Sequence, residues 1–331
     1  IYAHLGLAYV PPELREDTGE VAAALGNDLP ALLEPSMIRG SLHNHTNLSD
    51  GEASLEVMAD AAHRMGWSWL GLADHSPTLV IANGASADDL LAQGATVRAT
   101  NAEWAEQGKD FRLFHGVESD VLEGGKLDHP DEVLNELDYV VASVHALGRW
   151  RGRDEQTNTE ELLQAIDHPA TTVLGHPTGR ILQGRDGYEV DLMAVLDHMA
   201  EHNAEGRLKA MELNASPYRL DLDWRHCKRA KELGVPVVVN PDAHSVRGLL
   251  ERQTSDVAEQ RGLRRDVRSG HAPRPPAVQA RDSEEQVSTA RSPHGLPARI
   301  GDRDRGHEVP LHQVPVARRR GLRDGRGRVG P

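Results

Sequence analysis

One sequence pattern recurs through residues 35–245: a short apolar run ends in histidine, aspartate or glutamate. The runs are rich in Val, Leu and Ile, which is typical of strands that are buried on both faces. Seven such runs are found, at residues 37–45, 69–75, 111–120, 139–145, 171–176, 209–214 and 236–244. In a parallel sheet, the carboxyl ends of all strands meet at one edge. The pattern therefore predicts a single pocket lined by these polar residues.

Helical patterns separate the runs. Apolar residues recur with helical spacing within residues 54–65, 160–166, 191–199 and 224–233. Strands that alternate with helices are typical of an α/β fold with a parallel sheet, and seven of them suggest a barrel.

The carboxyl ends of the runs carry nine donors of the kinds that bind divalent metal ions. His43 and His45 are two residues apart, so on a strand both imidazoles face the same way. Asp242 and His244 have the same spacing. The full set is His43, His45, Asp50, His75, Glu118, His145, His176, Asp242 and His244. Without a thiolate, this set suits Mn, Zn or Fe. Nine ligands fit two or three ions that share a carboxylate, an arrangement used for displacement at phosphorus.

Composition divides the chain near residue 250. Residues 1–250 contain 20 basic and 40 acidic residues, and residues 251–331 contain 17 and 11, which restores the totals of 37 and 51. All 17 basic residues of the second part are Arg, and it has no aromatic residue. Such a segment cannot easily bury enough surface to offset its chain entropy. We expect a disordered tail at 251–331, with a basic nucleic-acid-binding arm and a frame-shifted sequence as the alternatives.

The sequence shows no sign of membrane insertion or secretion. No stretch approaches the roughly 18 uncharged apolar residues of a membrane helix. The chain opens at Ile1 without a basic and then apolar leader. We therefore expect a cytoplasmic protein without a membrane partner. Cys227 is the only cysteine, which excludes an intrachain disulfide and a zinc site built from cysteines.

The segments that carry the nine donors resemble the motifs of PHP (polymerase and histidinol phosphatase) domains. Residues 41–51 resemble the opening motif, and the later motifs follow in order at 72–76, 116–120, 142–145, 175–177 and 242–244. The resemblance covers about residues 35–250. It implies a distorted (β/α)7 TIM-like barrel with the metal site at the C-terminal ends of the strands.

The resemblance also implies how the ligands divide over three divalent ions, with manganese expected and zinc or iron as alternatives. The first ion would have His43, His45, Glu118 and Asp242, the second Glu118, His145 and His176, and the third Asp50, His75 and His244. Glu118 would thus bridge the first two ions.

Several further segments are similar to one branch of this family, the bacterial family X DNA polymerases. Residues 11–16 and 29–32 resemble the linker ahead of their PHP domain, and residues 175–180, 212–215 and 219–222 also match. Those enzymes carry a polymerase core ahead of the linker, and this chain lacks it. We expect residues 1–34 to be a remnant of the polymerase C-terminal region and linker, followed by a PHP domain at 35–250.

The resemblance implies a metal-dependent phosphoesterase, most simply the 3′–5′ exonuclease or DNA 3′-end processing domain of such a polymerase. Hydroxide generated at the metal ions would attack phosphorus in line. We expect Glu118, Asp242 and His244 to act in catalysis, and Arg180 and Arg219 to contact phosphate. Surface salt bridges are the alternative for both arginines. The substrate would be DNA 3′ ends or a small phosphoester, with the polymerase region as the partner in the full-length protein.

Two other functions stay open: a small-molecule phosphatase of the histidinol-phosphatase type, and an inactive PHP scaffold domain. Asp74, which directly precedes His75, would orient a ligand or cap a buried strand. The histidines away from the strand ends are expected at the surface, namely His63, His115, His129, His168, His198, His202 and His226.

Overall fold

A computed structural model describes residues 1–145 and 147–251, and the tail expected at 251–331 lies outside these residues except for Glu251. The described part contains one sheet of six strands, ordered as in the chain: β1 (Trp69–Leu72), β2 (Arg112–Asp120), β3 (Tyr139–Ser143), β4 (Thr171–Leu174), β5 (Ala210–Asn214) and β6 (Val237–Asn240). Every neighbouring pair is parallel. Consecutive parallel strands require a crossover each time, and the sheet curls into a distorted TIM-like barrel.

Nine α-helices occur in the described residues: α1 (Glu20–Leu25), α2 (Leu55–Arg64), α3 (Ala87–Glu106), α4 (Asp131–Leu134), α5 (Leu147–Arg151), α6 (Glu155–Asp167), α7 (Leu192–Ala204), α8 (Trp224–Leu233) and α9 (Val246–Glu251). The four predicted helical patterns correspond to α2, α6, α7 and α8. Of the helices described, none is both long and apolar enough to cross a bilayer.

Helix α3 is the longest element that the periodicity did not predict. Its buried residues include Gln93 and Gly94 beside Leu90 and Val97. An apolar stripe interrupted by an amide and a glycine does not have the usual signature of an amphipathic helix. Gly94 is required by packing, since a Cβ there would lie 2.7 Å from the His115 ring of β2.

Six of the seven predicted strand runs form strands, and the first run, at 37–45, does not. It is an extended segment in the place of the seventh strand. Its bonds run to both neighbours: the Gly71 amide donates to the Ser41 carbonyl and the His45 amide donates to the Ala243 carbonyl, each at 2.8 Å. Side chains replace part of the ladder, because the Leu42 amide donates to the Asn240 side chain at 2.8 Å. At this position the Asn240 side chain takes the place of a backbone partner in the ladder.

Tyr139, the first residue of β3, is buried and links two neighbouring segments through its hydroxyl. Its hydroxyl lies 2.5 Å from the Leu42 carbonyl oxygen and 2.7 Å from that of Leu72, so it is shared between the irregular segment and the end of β1. Glycines make room for the ring: a Cβ at Gly71 would lie 2.4 Å from the hydroxyl, and one at Gly116 2.5 Å from the ring. This packing anchors the segment that carries His43 and His45.

Candidate metal centre

Glu118 is the centre of the polar cluster at the carboxyl edge of the sheet. It lies on β2 and is 1% exposed. Five imidazole nitrogens lie within 3.7 Å of its carboxylate oxygens: His43 Nε2 at 3.2 Å, His45 Nε2 at 3.7 Å, His75 Nδ1 at 2.8 Å, His145 Nε2 at 3.3 Å and His176 Nε2 at 2.9 Å. Residues far apart in sequence thus converge on one carboxylate.

Asp242 and Asp50 extend the cluster toward solvent. Asp242 Oδ1 lies 3.1 Å from His45 Nε2 and 3.8 Å from His244 Nδ1. Asp50 Oδ1 lies 3.3 Å from His244 Nε2 and 3.6 Å from His75 Nε2. The His45 ring stacks on those of His75 and His244, with centroids 4.3 and 4.1 Å apart.

All nine predicted ligands are brought together. Their donor atoms form four groups whose atoms lie within 4.8 Å of one another: His45, Asp50, His75 and His244; His43, His45 and Glu118; His43, His176 and Asp242; and His75, Glu118 and His145. The first group contains the three residues expected for the third ion. The other three groups overlap through His43 and Glu118, so the division between the first and second ions stays a prediction.

Several of these close contacts lack hydrogen-bond geometry. His75 Nδ1 lies 2.8 Å from Glu118 Oε2, yet within the described residues neither atom has a hydrogen-bond partner. The same holds for His43 Nε2. Buried polar atoms without partners are costly, and a cation between them would satisfy both. Imidazole and carboxylate donors suit Zn, Mn and Fe. The residues present therefore fit a cluster of divalent cations.

The electrostatics of the site favour deprotonated carboxylates. Burial raises the pKa of Glu118, but the charges of His43 and His145 outweigh it and hold this pKa well below its usual range. Burial is likewise outweighed at Asp242, where His43 and His45 lower the pKa. Burial, together with His75 and His244, lowers the pKa of His45 to about 4. These groups are thus in the ionisation state that a metal ion requires.

Three other histidines hold their protons more tightly. Burial lowers the pKa of His43, but Glu118 and Glu212 outweigh it and raise this pKa well above its usual range. Burial lowers the pKa of His145, but Glu118 and Asp120 overcome it and raise the pKa to about 10. Burial also opposes protonation of His244, whose hydrogen bond to Asp50 raises its pKa to about 9. Since a ligating imidazole nitrogen must be free of its proton, metal binding here is expected to release protons.

Two buried carboxylates outside the predicted set hold ligand rings in place. Glu212 Oε1 lies 2.7 Å from His43 Nδ1, and its Oε2 accepts from the His176 amide at 2.5 Å. Asp120 Oδ1 lies 2.9 Å from His145 Nδ1. Both residues stand at the ends of strand runs, so the signal that revealed the ligands was present for them too.

Asp74 acts on a loop rather than on an imidazole. Its carboxylate accepts hydrogen bonds from the Thr46 amide at 2.8 Å, the Ser49 hydroxyl at 2.7 Å and the Gln93 amide at 2.7 Å. These bonds fix the loop that joins His45 to Asp50. Asp74 therefore fixes the position of Asp50 relative to His45.

A cavity of about 360 Å³ opens beside the cluster. Its lining combines ligand candidates, two arginines and apolar residues: Asp50, His75, Leu79, Ile81, Ala82, His145, Arg185, Arg219, Asp242 and His244. Arg219 Nε lies 3.3 Å from Asp242 Oδ2, and its buried Nη1 has no hydrogen-bond partner in the described part of the chain. This nitrogen is a free donor close to the cluster.

Two further arginines bear on phosphate binding at this site. Arg180 donates to the carbonyl oxygens of Arg219 and Leu220, so its guanidinium supports the backbone that carries Arg219. The phosphate contact expected of Arg180 stays a prediction. Arg185 lines the cavity and was not predicted; nothing in its local sequence distinguishes it from a surface arginine.

Three of the seven histidines that were expected at the surface are buried. His115, His129 and His202 are 4%, 5% and 3% exposed, so the prediction was wrong for them. Distance from a strand end does not report depth: His115 lies within β2 beneath α3, and His202 faces inward from α7.

Comparison with known proteins agrees with this geometry. The PHP domain family profile matches residues 41–216, more than half of the chain. The chain belongs to the PHP domain family. The matched region of this PHP domain includes seven of the nine predicted ligands, and Asp242 and His244 follow it.

Two curated relatives carry different names. The PHP chain is 38% identical over 261 residues to "DNA polymerase/3'-5' exonuclease PolX" of Bacillus subtilis (strain 168), an alignment that covers 79% of this chain and 43% of that protein. The chain thus spans less than half the length of that relative. It is 28% identical over 211 residues to "Probable phosphatase TTE1963" of Caldanaerobacter subterraneus subsp. tengcongensis, which covers 61% of this chain and 74% of the relative.

Among solved structures, the fold is similar to that of a histidinol phosphate phosphatase from Lactococcus lactis subsp. lactis, in complex with zinc, L-histidinol and phosphate. The TM-score is 0.44 at 17% sequence identity, over 67% of this chain and 93% of that one.

Proposed function

We propose that this PHP domain hydrolyses phosphoester bonds with divalent cations held by the cluster around Glu118, and that its substrate is a DNA 3′ end. The observation that carries the proposal is the convergence of five imidazole nitrogens on one buried carboxylate. His43, His45 and Asp242 would complete one side of this centre, and Asp50, His75 and His244 the other. Cations bound there supply Lewis acidity and lower the pKa of water.

The protein's own residues bind and orient the phosphoryl group. Arg219 offers an unused donor at Nη1 beside Asp242, and Arg185 lines the same cavity. Guanidinium groups bind phosphate oxygens in bidentate fashion, and their charge stabilises the negative charge of a phosphoryl group under attack. Arg180 holds the Arg219 backbone through its carbonyl contacts. We assign Arg219 to phosphate binding and Arg180 to positioning it.

The cavity rim supports a nucleotide substrate. Leu79 and Ile81 line the cavity, and Val80 and Ile81 are 83% and 94% exposed. Exposed apolar side chains beside phosphate-binding arginines offer a surface on which a base could pack next to its phosphate. The negative charge of residues 1–250 opposes DNA affinity, which normally comes from cations. We therefore expect this chain alone to bind DNA weakly and to act on the terminal nucleotide.

A small-molecule phosphatase is the second candidate, favoured by the size of the cavity. A volume of about 360 Å³ is at the low end for sites that enclose one small ligand. The two candidates share the chemistry at the cluster and differ in the leaving group. An inactive scaffold domain is disfavoured because every predicted ligand is present and converges.

The test compares two substrates on the full chain reconstituted with Mn²⁺ or Zn²⁺. One is a 3′-recessed DNA duplex and the other a simple phosphomonoester. Asp242→Asn should abolish hydrolysis of both, whereas Asp197→Asn, at an exposed ion pair with Arg229, should leave it unchanged. A higher kcat/KM for the duplex supports 3′-end processing, and a higher value for the monoester supports the phosphatase. If a metal-loaded chain hydrolyses neither substrate, the proposal is overturned.

A further inference from the structure

A second convergence of metal-binding side chains lies between α6 and α7. His198 and His202 are four residues apart on α7, so they project from the same face of the helix. Asp167 is the last residue of α6. Its Oδ1 lies 2.8 Å from His198 Nε2 and 2.8 Å from His202 Nε2, and the two nitrogens are 3.2 Å apart.

This arrangement makes an awkward set of hydrogen bonds. A carboxylate oxygen can accept from both rings, but the two N–H groups then converge on one acceptor while their nitrogens lie only 3.2 Å apart. If the Nε2 atom of one ring carries no proton, its lone pair faces the Asp167 oxygen at 2.8 Å. Two hydrogen-bond acceptors are then in contact. Hydrogen bonds therefore satisfy the three atoms poorly, whatever the tautomers of the two rings.

A zinc ion would satisfy all three atoms at once. Zinc binds imidazole nitrogen and carboxylate oxygen at about 2.0–2.2 Å, so ligand atoms of a tetrahedral site lie about 3.3 Å apart. The 3.2 Å between the two Nε2 atoms already has this value. The two 2.8 Å contacts of Asp167 need to open by about 0.5 Å to reach that separation. The Asp167 side chain is 55% exposed and free to make this adjustment.

The three residues combine a partly exposed side, through which an ion can enter, with a buried ligand that is held rigidly. His202 is 3% exposed and held by the core, whereas the His198 side chain is 24% exposed. Lys209, the buried cation nearby, directs its ammonium to the carbonyl oxygens of His168 and Thr171 at 2.8 and 2.7 Å. The Asp167 carboxylate is thus left to the histidines.

The cluster lies at the opposite edge of the sheet from Glu118. Asp167 ends α6 four residues before β4 begins at Thr171, so it is at the amino edge of the strands. In such barrels the active-site residues lie at the carboxyl edge of the strands, whereas residues at the amino edge contribute to stability. A cation here would tie the end of α6 to α7.

We propose that Asp167, His198 and His202 form a structural zinc site that clamps α6 to α7, with a water as the fourth ligand, independent of the phosphoesterase centre. Three His and carboxylate ligands with a water as the fourth are the coordination of open zinc sites in proteins, and the same coordination would serve the clamp here. A ligand that binds only the folded state raises the unfolding temperature, so occupancy of the clamp would appear as added thermal stability.

The test uses the full chain, freed of metal with a chelator and then titrated with Zn²⁺. His198→Ala removes one ligand at a partly exposed position. The matched control is His168→Ala, whose side chain is 21% exposed, pairs with the Asp131 carboxylate at 3.1 Å and accepts a hydrogen bond from the Ala170 amide. Elemental analysis after desalting measures zinc per chain, and thermal unfolding measures the rise in Tm caused by zinc.

We expect His198→Ala to bind one zinc fewer per chain than the wild type and His168→Ala, with a smaller zinc-dependent rise in Tm and unchanged phosphoester hydrolysis. Asp167→Asn should give the same loss with a side chain of the same shape. If both variants keep the wild-type zinc content and Tm rise, the three residues are only a hydrogen-bonded triad. Failure of the phosphoesterase proposal would appear in the Asp242→Asn comparison and would leave this result untouched.

Discussion

Glu212 Oε1 lies 2.7 Å from His43 Nδ1, while His43 Nε2 faces Glu118 Oε1 at 3.2 Å. Burial opposes ionisation of Glu212, but His43 outweighs it and lowers the pKa of this carboxyl. An ionised Glu212 accepts a hydrogen bond from the Nδ1–H group, which keeps this proton on Nδ1 and leaves Nε2 as the nitrogen that faces the cluster. A residue outside the predicted ligand set thus determines the tautomer and the direction of a ligand ring.

Glu212→Gln should weaken metal binding by about 10–100-fold, the usual effect of losing the group that orients a metal-binding histidine. The amide keeps the shape of the side chain but carries no charge to hold the Nδ1 proton. Titration of the metal-free chain with Mn²⁺ or Zn²⁺ measures the affinity. Glu161→Gln is the control, since Glu161 is also buried, at 6% exposed, but pairs with Arg149 and Arg153. Equal affinities in both variants would contradict this role of Glu212.

Arg219→Gln should lower kcat/KM for a phosphoester by about 100-fold, in line with the loss of one donor to a charged transition state. Metal content should not fall, because a guanidinium is not a metal ligand. Arg180→Gln should have a smaller effect, since it acts through the Arg219 backbone. Steady-state kinetics on the metal-loaded chain make the comparison. Arg225→Gln, at an exposed pair with Asp223, is the control, and a loss of similar size there would argue against phosphate binding by Arg219.

Asp50→Asn should remove one metal ion per chain and leave the others. Asp50 contacts His75 and His244 at the outer side of the cluster and belongs to a group separate from Glu118. An amide oxygen is a much weaker ligand than a carboxylate for a divalent cation. Elemental analysis of wild type and variant, loaded in parallel, gives the stoichiometry. Loss of all cluster ions, or of none, would refute an independent third ion.

The strands and the ligand cluster were predictable from sequence because both follow simple rules. Short runs rich in Val, Leu and Ile that alternate with helices are typical of buried parallel strands. Parallel strands in turn bring their carboxyl ends to one edge of the sheet. His145 and His176 could therefore be placed together although 31 positions separate them. The irregular course of the first run, predicted as a strand at 37–45, could not be foreseen, because part of its hydrogen bonding comes from a side chain, that of Asn240.

The positions of the arginines and of His115 were harder to predict from the sequence. Arg185 and Arg219 both line the cavity, but their positions depend on loops whose course no periodicity reveals. Arg180 shows the same limit, since its partners are two backbone carbonyls 39 and 40 residues away. The burial of His115 depends on α3, whose packing through Gly94 leaves no apolar stripe to detect.

His115 should make the protein sensitive to mild acid. Burial lowers its pKa to about 4, against the opposing charge of Asp138. In the unfolded chain the pKa is about 6.5, so between these values the unfolded state binds more protons, and the free energy of unfolding falls as the pH falls. From pH 7 to pH 5 the loss from this residue is about 2 kcal/mol. His115→Gln, which cannot titrate, should lose about 2 kcal/mol less than wild type over that range. Urea unfolding of both proteins at the two pH values, with a chelator present, measures the difference. Equal losses would mean that His115 takes up its proton in the folded state as readily as in the unfolded chain.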